Sequence, residues 1–102
     1  MIGVLRQLVR AGRYRLTLHA RSEMDHKGVS TGELISALLA QACEIIEDYP
    51  DNSRGHSHLL VGWTPDGNPL HICCAVHEDC LVIITVYRPD ETLWAEDWRT
   101  RR

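Results

Sequence analysis

No run of about eighteen apolar residues occurs in this 102-residue chain, so no membrane-spanning helix is expected. The N-terminus also lacks the apolar block and small-residue cleavage site of a secretory signal, and a cytoplasmic location is the expectation. No Cys-x-x-Cys pair exists among the four cysteines, which removes the compact zinc knuckle. Cys73 and Cys74 are adjacent and must point to opposite faces of a strand, so they do not bridge; buried thiols in a reducing compartment are the plain reading. Repeats, low-complexity tracts and linkers are missing, and the length suits one domain spanning residues 1–102. Such a length can bury a core without disulfides or a structural metal.

Positive charge is scarce overall, with a net charge of -3, which argues against a strongly basic nucleic-acid binder. Its distribution is uneven. Residues 1–30 hold Arg6, Arg10, Arg13, Arg15, Arg21 and Lys27 against Glu23 and Asp25, a balance of +4, whereas residues 31–60 balance at -4 and the remainder at -3. Lysine is nearly absent, since ten of the eleven cationic side chains are Arg. The planar guanidinium fork suits phosphate, and a basic N-terminal third is compatible with phosphate contact.

Periodicity lays out the elements. Val4, Leu5, Leu8 and Val9 fall on one side of a helix over Ile2–Ala11, with Gly12 placed for a left-handed cap. Arg13–Leu18 alternates as a short extended piece. Thr17 is positioned to cap a second helix, His19–Lys27, ended by Gly28. On that helix His19, Glu23 and His26 share one face, beside a stripe of Ala20 and Met24. Ser30-Thr31-Gly32-Glu33 matches a capping box, followed by an apolar stripe of Leu34, Leu38 and Ala42 flanked by Ile35 and Leu39. Strands are expected at Cys43–Tyr49 and His56–Thr64, with a loop over Pro50–Gly55 and a tight turn at Pro65-Asp66-Gly67-Asn68. Over Asp90–Arg102, the spacing of Leu93, Trp94, Asp97 and Trp98 predicts a final amphipathic helix, its C-terminal end favoured by Arg99, Arg101 and Arg102. Helices followed by hairpin-linked strands predict an α+β domain: an antiparallel sheet of about four strands with helices on one face.

The segment LHICCAVHEDCLVIITVYRP, residues 70–89, is the centre of the expected sheet. Strict alternation puts Val82, Ile84 and Val86 on one face and Leu81, Ile83, Thr85 and Tyr87 on the other. In the preceding strand Leu70, Ile72, Cys74 and Val76 oppose His71, Cys73, Ala75 and His77. One face is greasy; the other carries a histidine with Thr85, Tyr87 and Arg88 and is the place to look for chemistry.

The pieces His19-Ala20-Arg21-Ser22-Glu23-Met24-Asp25-His26-Lys27-Gly28-Val29-Ser30, Leu70-His71-Ile72 and Ile84-Thr85-Val86-Tyr87-Arg88-Pro89 resemble domain of unknown function family 4258, over roughly Tyr14 to Pro89. That family looks like small bacterial toxins of the RelE-type superfamily, related to MqsR-type and BrnT-type ribonucleases. Met24, Lys27 and Gly28 match its pattern, as do Thr85, Tyr87 and Pro89; Glu23 stands where the pattern has Arg. The resemblance implies a RelE-like fold and metal-independent cleavage of mRNA by 2′-hydroxyl attack. Such a toxin is often paired with a zinc-finger or helix-turn-helix antitoxin. Cleavage of that kind needs a base, an acid and cations for the charge growing on phosphorus. His71 and His19 are then candidates for acid/base work. Tyr87 is a candidate for stacking or proton donation, with Thr85 beside it on the same expected face. Arg88, Arg21 and Lys27 are candidates for phosphate. No cofactor and no metal ligand are assigned.

Two other classes compete. The acidic middle and C-terminal segments fit a non-catalytic protein-binding module of the same fold. The pair His56-x-His58 on one strand face, with His71, Cys73 and His77 on another, offers ligand types suited to a small zinc-binding protein.

Overall fold

The computed structural model describes residues 1–51 and 55–102; the expected loop residues Asn52, Ser53 and Arg54 lie outside it. Among the described residues, three helices and a mixed sheet of five strands form an α+β domain. In chain order these are α1 (Ile2–Arg10), β1 (Tyr14–Leu16), α2 (Leu18–Lys27), α3 (Thr31–Leu39), β2 (Glu44–Tyr49), β3 (Ser57–Trp63), β4 (Pro69–His77) and β5 (Cys80–Tyr87). The sheet order is β1-β5-β4-β3-β2. β2 to β5 form the expected antiparallel meander, and β1 adds a fifth strand, parallel to β5. That addition corrects the four-stranded antiparallel expectation. The short alternating piece after α1 finds its partner some 67 residues downstream, Leu16 opposite Ile83, a pairing local periodicity cannot announce. Among the described residues no helix is long and apolar enough to cross a membrane.

The helices lie on one face. Leu5, Val9, Ala20, Met24, Leu34, Ala37 and Leu38 pack there against Leu60, Leu70, Ile72, Cys74, Leu81, Ile83 and Val86. Gly62 shows how closely α3 approaches the sheet. A Cβ at that position would lie 2.4 Å from the Ala37 carbonyl oxygen, so only glycine fits without moving the helix. The capping box forms as read, Ser30 Oγ accepting from the Glu33 amide at 3.0 Å and Glu33 from the Ser30 amide at 3.1 Å. α3 nevertheless stops at Leu39, and the stripe ends before Ala42, which is exposed. The loose carbonyls at this end are taken by a side chain from α1: Arg6 donates to Ala40 O at 2.9 Å and Cys43 O at 3.1 Å.

Two bulges break the simple alternation of the strands. The first, in β5, makes Ile84 the extra residue, because Cys73 pairs with Thr85 but Cys74 pairs with Ile83. Leu81, Ile83 and Val86 therefore share the helix face, while Val82, Thr85 and Tyr87 share the other. The strictly alternating assignment of Val82, Ile84 and Val86 to one face is thus corrected. A second bulge at Ile46 in β2 shifts Glu47 and Asp48 relative to Ile45.

The expected C-terminal helix is absent. Residues 90–102 instead run as consecutive turns with one antiparallel bridge, Trp94 to Arg101. Asp97 explains the outcome: its carboxylate accepts from the Arg99 amide at 2.9 Å and from the Thr100 amide and hydroxyl at 3.1 and 2.9 Å. Aspartate competing locally for backbone donors favours a turn over a helix. This segment lies across the sheet face that the helices leave open.

Candidate functional site

His71 and Tyr87 sit directly opposite each other on β4 and β5, on the face away from the helices. Tyr87 Oη and His71 Nδ1 are 3.0 Å apart, and His71 Nε2 lies 2.7 Å from the backbone carbonyl of Trp98. A carbonyl only accepts, so Nε2 carries the proton; Nδ1 then accepts from the Tyr87 hydroxyl. The ring is held edge-on by Trp94, with centroids 4.4 Å apart, and His71 is wholly buried. Burial pushes its pKa below the ordinary histidine value, against the opposing pull of the Trp98 carbonyl. Burial likewise raises the Tyr87 phenol. Trp98 reaches His71 from a left-handed backbone conformation, φ +60°, one that a bulky side chain rarely adopts.

Arginines fasten this cover to the β2 edge. Arg101 grips Glu47 through two bonds, 2.7 and 3.0 Å, and stacks 4.6 Å above the Trp94 ring. Arg99 pairs with Glu44 and lies 5.0 Å over Trp63. Glu47 also accepts from the Tyr49 hydroxyl. The Arg101 hydrogen bonds hold the Glu47 carboxyl below its usual range, while burial and Glu47 raise Tyr49 to about 12. These tail contacts were missed by periodicity; their only sequence signal is the run of arginines and tryptophans after Pro89.

A second constellation lies where α2 meets the end of β5. His19, Ser22, Glu23, His26, Lys27, Val86 and Tyr87 line an open cleft of about 180 Å³. Thr17 sets this helix in place. Its hydroxyl oxygen caps the Ala20 amide at 3.0 Å and donates to Ile84 O, at the bulge, at 2.9 Å. Glu23 accepts from the Val86 amide at 3.2 Å, an amide beyond the reach of three-residue β1. The same Glu23 oxygen is 3.2 Å from His19 Nε2, and the His19 side chain is 65% exposed. His26 Nδ1 lies 2.8 Å from the Ser22 carbonyl and so carries a proton, leaving Nε2 to solvent.

The expected site residues therefore fall into separate places. His19, Lys27 and Tyr87 meet in the cleft, and Tyr87 links it to buried His71. Thr85 is half-buried beside them, opposite Cys73. Arg88 is exposed just past β5. Arg21 lies apart, in a hollow of about 300 Å³ between α2 and the start of α3. His26 joins the cleft although only its helix face had marked it. All four cysteines are free, and burial raises the thiols of Cys43, to about 11, and of Cys73 and Cys74, the opposite of what a nucleophile needs.

The sequence profile of a domain-of-unknown-function family, DUF4258, matches residues 16–88. The chain belongs to the DUF4258 family. No curated protein and no solved structure matches it. The DUF4258 match takes in α2, α3 and β2 to β5 with the whole α2–β5 cleft, and it ends at Arg88. The segment that buries His71 thus lies beyond the matched DUF4258 region.

Proposed function

We propose that this DUF4258 protein is a RelE-like, metal-independent endoribonuclease of the toxin type, acting at the α2–β5 cleft. The observation that carries the reading is the convergence of His19, His26, Lys27 and Tyr87 on one open cleft. His26 Nε2 accepts the ribose 2′-hydroxyl proton, and O2′ attacks the adjacent phosphorus. The P–O5′ bond breaks, and the leaving oxygen takes a proton from His19, whose ring Glu23 orients at 3.2 Å. The products are a 2′,3′-cyclic phosphate and a free 5′-hydroxyl. Lys27 faces the charge that accumulates on the phosphoryl oxygens, and Arg88 extends the cationic contact along the RNA. His71 acts through Tyr87, fixing the phenol at the cleft wall, and is a positioning residue. A cognate antitoxin would silence the protein by covering the cleft.

Incubation of the purified chain with mixed RNA, followed by mapping of 5′ ends, tests this. Cuts are expected to persist in EDTA, to leave cyclic phosphates, and to fall at least a hundredfold in His26→Ala and His19→Ala, the usual scale of lost general acid–base catalysis. A second reading, a non-catalytic protein-binding module, is favoured by the complete closure of His71 and the net charge of -3. Absence of cleavage, together with normal growth of cells expressing the chain, would replace the enzyme by that module.

A further inference from the structure

A group of side chains at the far edge of the sheet has no part in the cleft. β3 and the residues leading into it put His56 and His58 two positions apart, on one face. β2 supplies Asp48 directly opposite His58. The bulge at Ile46 is what brings the carboxylate there: it restores Asp48 to the side occupied by His58 after Ile45 and Leu60 have paired. Asp48 Oδ1 lies 2.6 Å from His56 Nε2 and 2.7 Å from His58 Nδ1. The two imidazole rings are 4.5 Å apart, tilted by 38°. One ligand atom from each of the three side chains falls within 4.8 Å of the others.

His58 is the informative member. Its side chain is only 5% exposed, and its Nδ1 is buried without an aligned hydrogen bond, despite the nearby carboxylate oxygen. A buried ring nitrogen without an aligned partner is costly, and a cation between the three side chains would supply that partner. His56 and Asp48 are about half exposed, at 48% and 55%, leaving one side open for entry and for water ligands.

We propose that Asp48, His56 and His58 form a binding site for a divalent first-row cation, zinc, with its remaining coordination positions filled by water. Two imidazoles and a carboxylate are a zinc donor set, and three protein ligands with an open position are a recognised arrangement for it. Bonds of about 2.0–2.1 Å place tetrahedral donor atoms about 3.3 Å apart. The exposed Asp48 and His56 side chains need only draw back by several tenths of an ångström from their present contacts, with His58 as the fixed ligand. The site goes beyond the ribonuclease reading and does not depend on it. His71, Cys73 and His77, the other possible ligands in the sequence, lie on the opposite face and are not part of it.

The untagged chain, stripped with chelator, is titrated with zinc in competition with a chromophoric chelator. One zinc per chain is expected, with a rise in the melting temperature. His56→Ala and Asp48→Asn, both at exposed positions, are each expected to weaken binding tenfold or more, and His77→Ala to leave it unchanged. His58→Ala tests the buried ligand where the variant folds; the two exposed variants carry the test where it does not. Cobalt in place of zinc is expected to give a visible absorption band that His56→Ala abolishes. No saturable binding up to about 100 μM zinc, or binding indifferent to His56→Ala and Asp48→Asn, overturns the site.

Discussion

The proton on His71 is assigned by its neighbours, and that assignment has a consequence for stability. In the folded chain the imidazole is neutral, with Tyr87 donating to one nitrogen and the Trp98 carbonyl receiving from the other. Glu47 faces it from β2, and Arg101 from the C-terminal segment. Burial lowers its pKa, so an unfolded chain takes up a proton that the folded chain refuses as pH falls below about 6.5. Stability from this residue is complete above that pH and is lost on acidification. Chemical denaturation at pH 7.5 and 5 is expected to show the decline in the parent chain and a smaller one in His71→Gln, whose amide can bond both partners without titrating. Equal declines in both would mean that the imidazole is already charged when buried. Acidic groups held low by partners, Glu47 and Asp48 among them, add their losses in a separate window below about pH 4.5. The meeting of His71 with Tyr87 was legible from the hairpin alone. Its burial was not, because Trp94 and Trp98 come from a stretch whose spacing mimics a helix.

Among the elements, the caps were the most legible: Thr17, Gly28 and the Ser30–Glu33 box each act locally and appear as read. The bulges were not, since an extra residue leaves no mark in an apolar run such as Leu81–Ile84 or in the Ile45-Ile46 pair. Ile84 and Ile46 decide which face their successors occupy, and so decide where Tyr87 and Asp48 stand. The β4–β5 turn offers a direct test. Glu78 and Asp79 both adopt positive φ, 50° and 59°, the geometry that favours Asn-Gly. Replacing the pair by Asn-Gly is expected to stabilise the domain by about 1 kcal/mol, from the strain a side chain suffers in that region. The urea midpoint would rise accordingly; an unchanged or lower midpoint would mean that the present turn is not strained.

At the scale of the whole molecule, the sheet is covered on both sides by unlike material, helices on one and an irregular segment on the other. Trp94 is the centre of the second cover, buried between His71 and Arg101. Trp94→Ala is expected to cost about 3–5 kcal/mol and to open His71 to solvent, seen as faster amide exchange along β4. A loss below 1 kcal/mol would show the cover to be loosely held. If RNA cleavage survives this substitution in the folded fraction, the cleft works independently of the cover.

The partnership of β1 with β5 carries a temporal consequence. Residues 14–16 pair in the sheet with residues 81–83, so a growing chain holds its first strand unmatched until more than sixty further residues have been made. Distant pairing of this kind slows folding, and α2, formed meanwhile, lacks β5, whose Val86 amide its Glu23 finally holds. Assembly is thus a late event, completed when the last strand arrives beside the first.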